Sequence, residues 1–106
     1  MIIIADSGGS KIDWRLLSRD GKIHQANSAG FNPYYQPIDH LQKIIKETLL
    51  ELVTENVSKI FFYGTGVSSE KNVQLIQQVF AQHFPKATIE VGWDLLAAAR
   101  ALCGSE

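Results

Sequence analysis

The chain has 106 residues, 45% hydrophobic and 20% charged, the ordinary balance of a globular protein whose size allows one domain around one core. Lys and Arg number 10 against 11 Asp and Glu, a formal charge of -1, so no general basic field draws the chain to nucleic acid or to an anionic membrane surface. A single cysteine, Cys103, excludes an intrachain disulfide. Together with histidines that lack zinc-ligand spacing, it points to a reducing, cytoplasmic setting.

The opening MIIIAD carries no basic leader or small-residue cleavage site and is not expected to be a signal peptide. Met1 to Ala5 reads instead as an Ile-rich strand buried on both faces that enters a tight turn at Asp6-Ser7-Gly8-Gly9-Ser10-Lys11. Ile12 to Leu17 is a second strand. Asp20-Gly21 signals a hairpin into a third, more polar strand over Lys22 to Ser28, suited to a sheet edge. A loop at Ala29 to Pro33 precedes a helix that begins near Pro37, with Leu41, Ile44, Ile45, Thr48, Leu49 and Leu52 at helical spacing. Val57 to Tyr63 has the pattern of a central parallel strand and stops at Gly64-Thr65-Gly66. Ser69-Glu70 opens a second helix that presents Val73, Ile76, Val79 and Phe80 on one face and closes at Phe84-Pro85. Thr88 to Val91 is a last strand, and Leu95 to Leu102 an Ala-rich helix with Gly104 beyond its end.

This order, β-β-β-α-β-α-β-α, predicts an α/β fold of ribonuclease-H-like layout: an antiparallel meander extended by crossover units into a mixed five-stranded sheet. Three places in it can carry chemistry. In the first turn, Gly8 and Gly9 let backbone N–H groups approach an anion, Ser10 and Lys11 add donors, and Asp6 can hold Mg²⁺ directly or through water. The same turn also reads as a plain glycine-rich hairpin. Asp94, between the last strand and the last helix, is either that helix's N-cap or a general base at a strand's carboxyl end, and the two roles are compatible. Asn32 in a proline-stiffened loop is either a polyol ligand or a loop former bonded to its own backbone. Gly64 and Thr65 either line the same cleft or serve the strand-to-helix turn. Trp14, Phe61, Phe62 and Phe80 read as core. Trp93 and the pair Tyr34-Tyr35 can border a sugar by stacking, though partly buried packing is their expected role. His24, His40 and His83 are expected to be solvated or locally bonded, and Cys103 an inert buried thiol.

The segments IADSGGSKIDW, GFNPYY, FYGTGVS and GWDLLAAARALCG, in this order, resemble the bacterial N-acetylglucosamine kinase-like proteins of the BadF/BadG ATPase family, in the sugar-kinase, heat-shock chaperone and actin superfamily. The resemblance implies that Asp6, Gly8, Gly9, Ser10 and Lys11 form the first phosphate motif for ATP and Mg²⁺, with Ser10 where threonine is usual. It also implies that Asn32 and Asp94 are acceptor-sugar ligands, Asp94 being the base. Ile12 departs from the small polar residue usual after the lysine.

In that family the Ala-rich helix is followed by a second Gly-Thr-Gly motif and an adenosine-binding C-terminal domain. Residues 1–106 are therefore expected to be an N-terminal actin-like ATPase subdomain, inactive alone, with the C-terminal domain of the same protein as its partner. Helix faces near Leu95, Leu96 and Leu102 are expected to be exposed and to favour homo-oligomers. Two other readings compete with the kinase: a nonenzymatic ATP-binding activator module, which needs no acceptor base, and a two-metal nuclease built on Asp6 and Asp94, which lacks a third carboxylate and a basic surface.

Overall fold

The computed structural model describes residues 1–8, 10–64, 67 and 69–92. Five strands form one sheet in the order β3-β2-β1-β4-β5. They span β1 Ile2–Ser7, β2 Lys11–Leu17, β3 Ile23–Ala29, β4 Lys59–Gly64 and β5 Thr88–Gly92. The first three pair antiparallel, while β4 runs parallel to β1 and β5 parallel to β4, as the meander followed by helical crossovers requires.

The β2–β3 hairpin is set by its turn chemistry. Gly21 takes φ 87°, a left-handed conformation that other residues rarely adopt, and Ser18 N–H donates to Lys22 O at 2.9 Å. The Ser18 hydroxyl donates to Asp20, and Lys22 N–H donates to Asp20 Oδ1 at 3.2 Å. These bonds hold the Asp20 carboxyl below its ordinary pKa, the Ser18 hydroxyl contributing most.

Two helical elements cross between strands. Helix α1, Ile38–Ile44, continues directly into a π-helical segment, Ile45–Leu49, where Leu50 N–H reaches Ile45 O at 3.2 Å. Helix α2, Glu70–His83, starts at Ser69, whose hydroxyl accepts from Asn72 N–H at 3.1 Å, the N-cap bond that satisfies an orphan donor.

Both helical elements pack on one face of the sheet. There Trp14 of β2, Phe62 of β4 and Phe80 of α2 form an aromatic wedge with centroid separations of 6.5, 6.3 and 5.7 Å. Trp14 also donates its indole N–H to Ser28 Oγ at 2.8 Å. Ile3, Ala5, Ile12, Leu16, Leu41, Ile45, Leu49, Ile60 and Ile76 complete this core.

Strand β1 departs from expectation. Its residues alternate: Ile3, Ala5 and Ser7 are buried, Ile2 and Ile4 half-buried, and Asp6 exposed. The strand therefore buries one face fully and presents the other toward a small cluster with Phe61 and Tyr63. Phe61 thus belongs to a second, smaller core, while Trp14, Phe62 and Phe80 occupy the main one, as their pattern predicts. The expected helix over Leu95 to Leu102, with Trp93 and Cys103, lies outside the described residues.

Candidate functional site

Because β1 and β4 are parallel, their carboxyl ends reach one rim of the sheet, and the start of β2 and the end of β3 arrive there too. That rim is where parallel sheets present their ligand-binding turns. Strand β5 brings the chain to the same rim at Gly92, paired with Tyr63.

The first turn is shorter than the sequence suggests. Asp6 and Ser7 belong to β1 and Lys11 to β2, so only Gly8 to Ser10 lie between the strands. Pairing with β2 across the hairpin and with the distant β4 carries β1 two residues past Ala5. Gly8 N–H closes the turn onto Lys11 O at 2.8 Å and is therefore spent internally. The exposed donors of the described turn are the Ser10 hydroxyl and the Lys11 ammonium.

Asp6 is exposed on the sheet face away from α1 and α2, directly across from Asp13 of β2. Like charges so opposed repel. Asp13 went unnoticed in the sequence. Only the hairpin register brings it beside Asp6, and folding the sequence between positions 9 and 10 would have revealed the pair.

The loop after β3 is tied to this turn by two bonds. The Ser7 hydroxyl, buried in the core, donates to Phe31 O at 3.1 Å, and Gly30 N–H donates to Ser10 O at 3.2 Å. Ser7 is the second residue that sequence reasoning missed, since a lone serine beside a glycine turn carries no pattern.

Asn32 follows at once and organises its own loop. Its Oδ1 accepts from Tyr34 N–H at 3.0 Å, its carbonyl accepts from Tyr35 and Gln36 N–H at 3.0 Å each, and its N–H donates to Gln36 Oε1 at 2.8 Å. The carboxamide oxygen is thus occupied by the backbone. Tyr34 and Tyr35 are 59% and 85% exposed, which corrects the expectation that they pack. His40 stacks on Phe31 and lies with Nε2 3.2 Å from Gly30 O, so it is locally bonded.

Gly64 ends β4 beside Ser7. A Cβ placed there would lie 2.9 Å from Ser7 Cβ and 3.2 Å from Ser7 O, so glycine at this position lets β4 approach β1. Gly9, Thr65 and Asp94 lie outside the described residues. Asp6, Gly8, Ser10, Lys11, Asn32 and Gly64 are brought to one rim. Among the described residues no three His, Cys, Asp or Glu side chains gather as a metal-binding group, and no helix is long and apolar enough to cross a membrane.

The architecture, an α/β fold with a mixed five-stranded sheet, is consistent with a kinase-like fold. A similar solved structure is that of a "putative N-acetylglucosamine kinase" from Porphyromonas gingivalis, with a TM-score of 0.77 and 29% sequence identity. The match covers 98% of this chain and 38% of that one, so the chain spans well under half the length of the protein it matches. No family model matches the chain, and no curated protein does.

Proposed function

We propose that this chain is the N-terminal, actin-like ATPase subdomain of an ATP-dependent sugar kinase of the BadF/BadG kind. Its topology is read as ribonuclease-H-like, its acceptor as N-acetylglucosamine or a related amino sugar, and its setting as the cytoplasm. The observation that carries this reading is the joining of the first turn to the Asn32 loop. The bonds from Ser7 to Phe31 and from Gly30 to Ser10 couple a turn suited to phosphate with a loop suited to a polyol. The donor set fits the groups invoked: a hydroxyl and an ammonium for phosphate oxygens, and an exposed carboxylate for a hard cation.

ATP with Mg²⁺ supplies the transferable phosphoryl group and neutralises its charge. Ser10 and Lys11, with the backbone of Gly9, grip the phosphates, Gly8 shaping the turn through its bond to Lys11 O, and Asp6 holds the cation directly or through water. Asn32 donates its amide N–H to a sugar hydroxyl, and Gly64 and Thr65 border the acceptor. Asp94 takes the proton from the attacking hydroxyl. The adenosine side belongs to a C-terminal domain of the parent protein. The transition state of phosphoryl transfer is loose, so positioning contributes more of the acceleration than the base does.

The test is steady-state kinetics of the parent enzyme. Asp94→Asn is expected to lower kcat by at least ~100-fold with an unchanged melt, the loss typical of a missing general base. Asp6→Asn is expected to impair use of Mg²⁺–ATP and leave sugar affinity nearly unchanged. The 106-residue chain alone is expected to phosphorylate no sugar. Near-normal turnover in Asp94→Asn would reduce that residue to a helix cap and remove the proposed base. A parent that binds ATP and phosphorylates no sugar would replace the kinase with the activator module.

A further inference from the structure

We propose that β3 is a self-pairing edge: two copies of this chain join antiparallel along it, centred on Ala26, into one continuous sheet with twofold symmetry. The backbone shows which groups are on offer. Ser18 N–H bonds Lys22 O at one end of the β2–β3 ladder, and Gly30 N–H bonds Ser10 O at the other. Antiparallel pairs alternate between bonded and unbonded, so His24, Ala26 and Ser28 turn their peptide groups toward β2. Ile23, Gln25, Asn27 and Ala29 turn theirs outward. Among the described residues these outward groups meet only the Ser28 hydroxyl, which donates to Ala29 O at 3.1 Å.

A strand edge of this kind invites pairing unless something blunts it, and β3 carries none of the usual devices. Its register with β2 runs unbroken from Ile23 to Ala29, and it holds no proline, lysine or carboxylate. Every side chain along it is exposed except Ala26 and Ser28, which are half-buried. The other edge differs. Strand β5 is shorter, carries Glu90 at its middle, and has Ile89 O engaged by Gln77 of α2 at 3.4 Å.

The sequence of β3 fits its own reverse, which favours a second copy over a foreign strand. Centred on Ala26, the pairing sets Gln25 against Asn27 of the second copy and Ile23 against Ala29, so every outward N–H and C=O finds a partner. At the centre Ala26 meets Ala26, a small side chain suited to the approach of about 4.5 Å at an unbonded pair. The facing carboxamides of Gln25 and Asn27 each offer donors and an acceptor. Charge selects the same register. Arg15 stands beside Gln25, and Asp13 beside Asn27, on the neighbouring β2. Each row across the joined sheets therefore runs Arg15, Gln25, then Asn27 and Asp13 of the second copy, cationic at one end and anionic at the other. Moving the centre to Gln25 would align Arg15 with Arg15, and moving it to Asn27 would align Asp13 with Asp13.

Twofold pairing closes at two copies. Strand β3 runs parallel to β1, so in the antiparallel pair the two rims that carry the first turn point to opposite ends of the joined sheet.

The test is sedimentation equilibrium of this chain from about 10 μM to about 1 mM, a range suited to a small interface. Wild type is expected to pass from monomer to dimer. Gln25→Lys with Asn27→Lys sets ammonium against ammonium twice across the edge and is expected to raise the dissociation constant at least ~5-fold. Gln25→Glu with Asn27→Lys sets carboxylate against ammonium in the same register and should hold the dimer at least as well as wild type. Both side chains are exposed, so both double variants are expected to fold, as far-UV circular dichroism would verify. Disulfide cross-linking in a Cys103→Ser background reads the register: Ala26→Cys is expected to link to itself, and Ile23→Cys only to Ala29→Cys.

A chain that stays monomeric throughout that range leaves the edge to a foreign strand and overturns the proposal. A dimer that survives Gln25→Lys with Asn27→Lys is held by another surface and overturns it too. Growth past the dimer would mean head-to-tail joining of β3 to β5, and Ile23→Cys linking to itself would mean another register; either result sinks the pairing centred on Ala26.

Discussion

Gly64 and Ser7 show how one missing methyl group sets the site. Parallel pairing places Gly64 beside Ser7, and a Cβ at 64 would fall 2.9 Å from Ser7 Cβ, inside the separation that packed atoms tolerate. Gly64→Ala is therefore expected to cost about 1–3 kcal/mol, the range for overpacking a well-packed position. Urea unfolding measures it, and a cost near zero would mean that the two strands part without strain. Asp13 makes the opposite case, since its cross-strand register partners are Asp6 and Asn27. Asp13→Asn removes a like-charge opposition and is expected to stabilise the chain by about 0.2–1 kcal/mol. Both groups are exposed, so the gain should shrink as salt is added. A destabilised Asp13→Asn would show that the carboxylate has a favourable partner.

At the scale of elements, the order of elements along the chain and the mixed sense of the sheet were legible because their determinants are local, whereas the placing of β4 beside β1 was not. Asp20-Gly21 forces a hairpin, and helical spacing between two apolar runs forces a parallel crossover. What was not legible depends on distant partners, as the pairing of β1 with β4 up to Ser7 and Gly64 shows. The π-helical segment is a further case. Leu41, Ile45 and Leu49 are all fully buried, a row of four-residue steps that overshoots an α-helical turn of 3.6 residues by about 40° each. A wider turn over Ile45–Leu49 rotates the row back toward the sheet, yet the apolar spacing alone reads the same either way. The Asn32 amide was legible as a candidate, but its bond to Tyr34 was not.

The end of α2 yields a pH dependence. Burial, and secondarily the charge of Lys46, hold His83 below its ordinary pKa of 6.5. The desolvation outweighs the attraction of a helix C-terminus for a cation. In the window below that ordinary value the unfolded chain binds more protons than the folded one, so stability is full above it and declines as pH falls. His83→Gln is expected to lose less Tm than wild type between about pH 7.5 and about pH 5. Parallel pH profiles for the two proteins would refute this assignment.

The whole molecule is a sheet with unequal faces. One carries the core and both described helical elements, and the other carries Asp6, Asp13 and a small cluster around Phe61 and Tyr63. Stability should therefore depend on the wedge of Trp14, Phe62 and Phe80, which joins the meander, the parallel strands and α2 at one point. A domain of this size holds about 5–15 kcal/mol in total. Truncating a buried phenyl ring costs about 3–5 kcal/mol, because transfer energy is lost and the cavity collapses only partly. Phe62→Ala thus removes about a fifth or more of the margin and is expected to lower Tm by about 12 °C or more, on the scale of ~4–8 °C per kcal/mol for a domain near this size. Ile23→Ala provides the contrast: Ile23 is 59% exposed at the sheet edge, so its loss should fall within about 0.5 kcal/mol. Trp14 fluorescence and far-UV circular dichroism followed through the same melt measure both variants. Equal melting of Phe62→Ala and Ile23→Ala would mean that the aromatic wedge does not hold the sheet to its helices. The first turn and the Asn32 loop would then lack the rigid base that their shared rim requires.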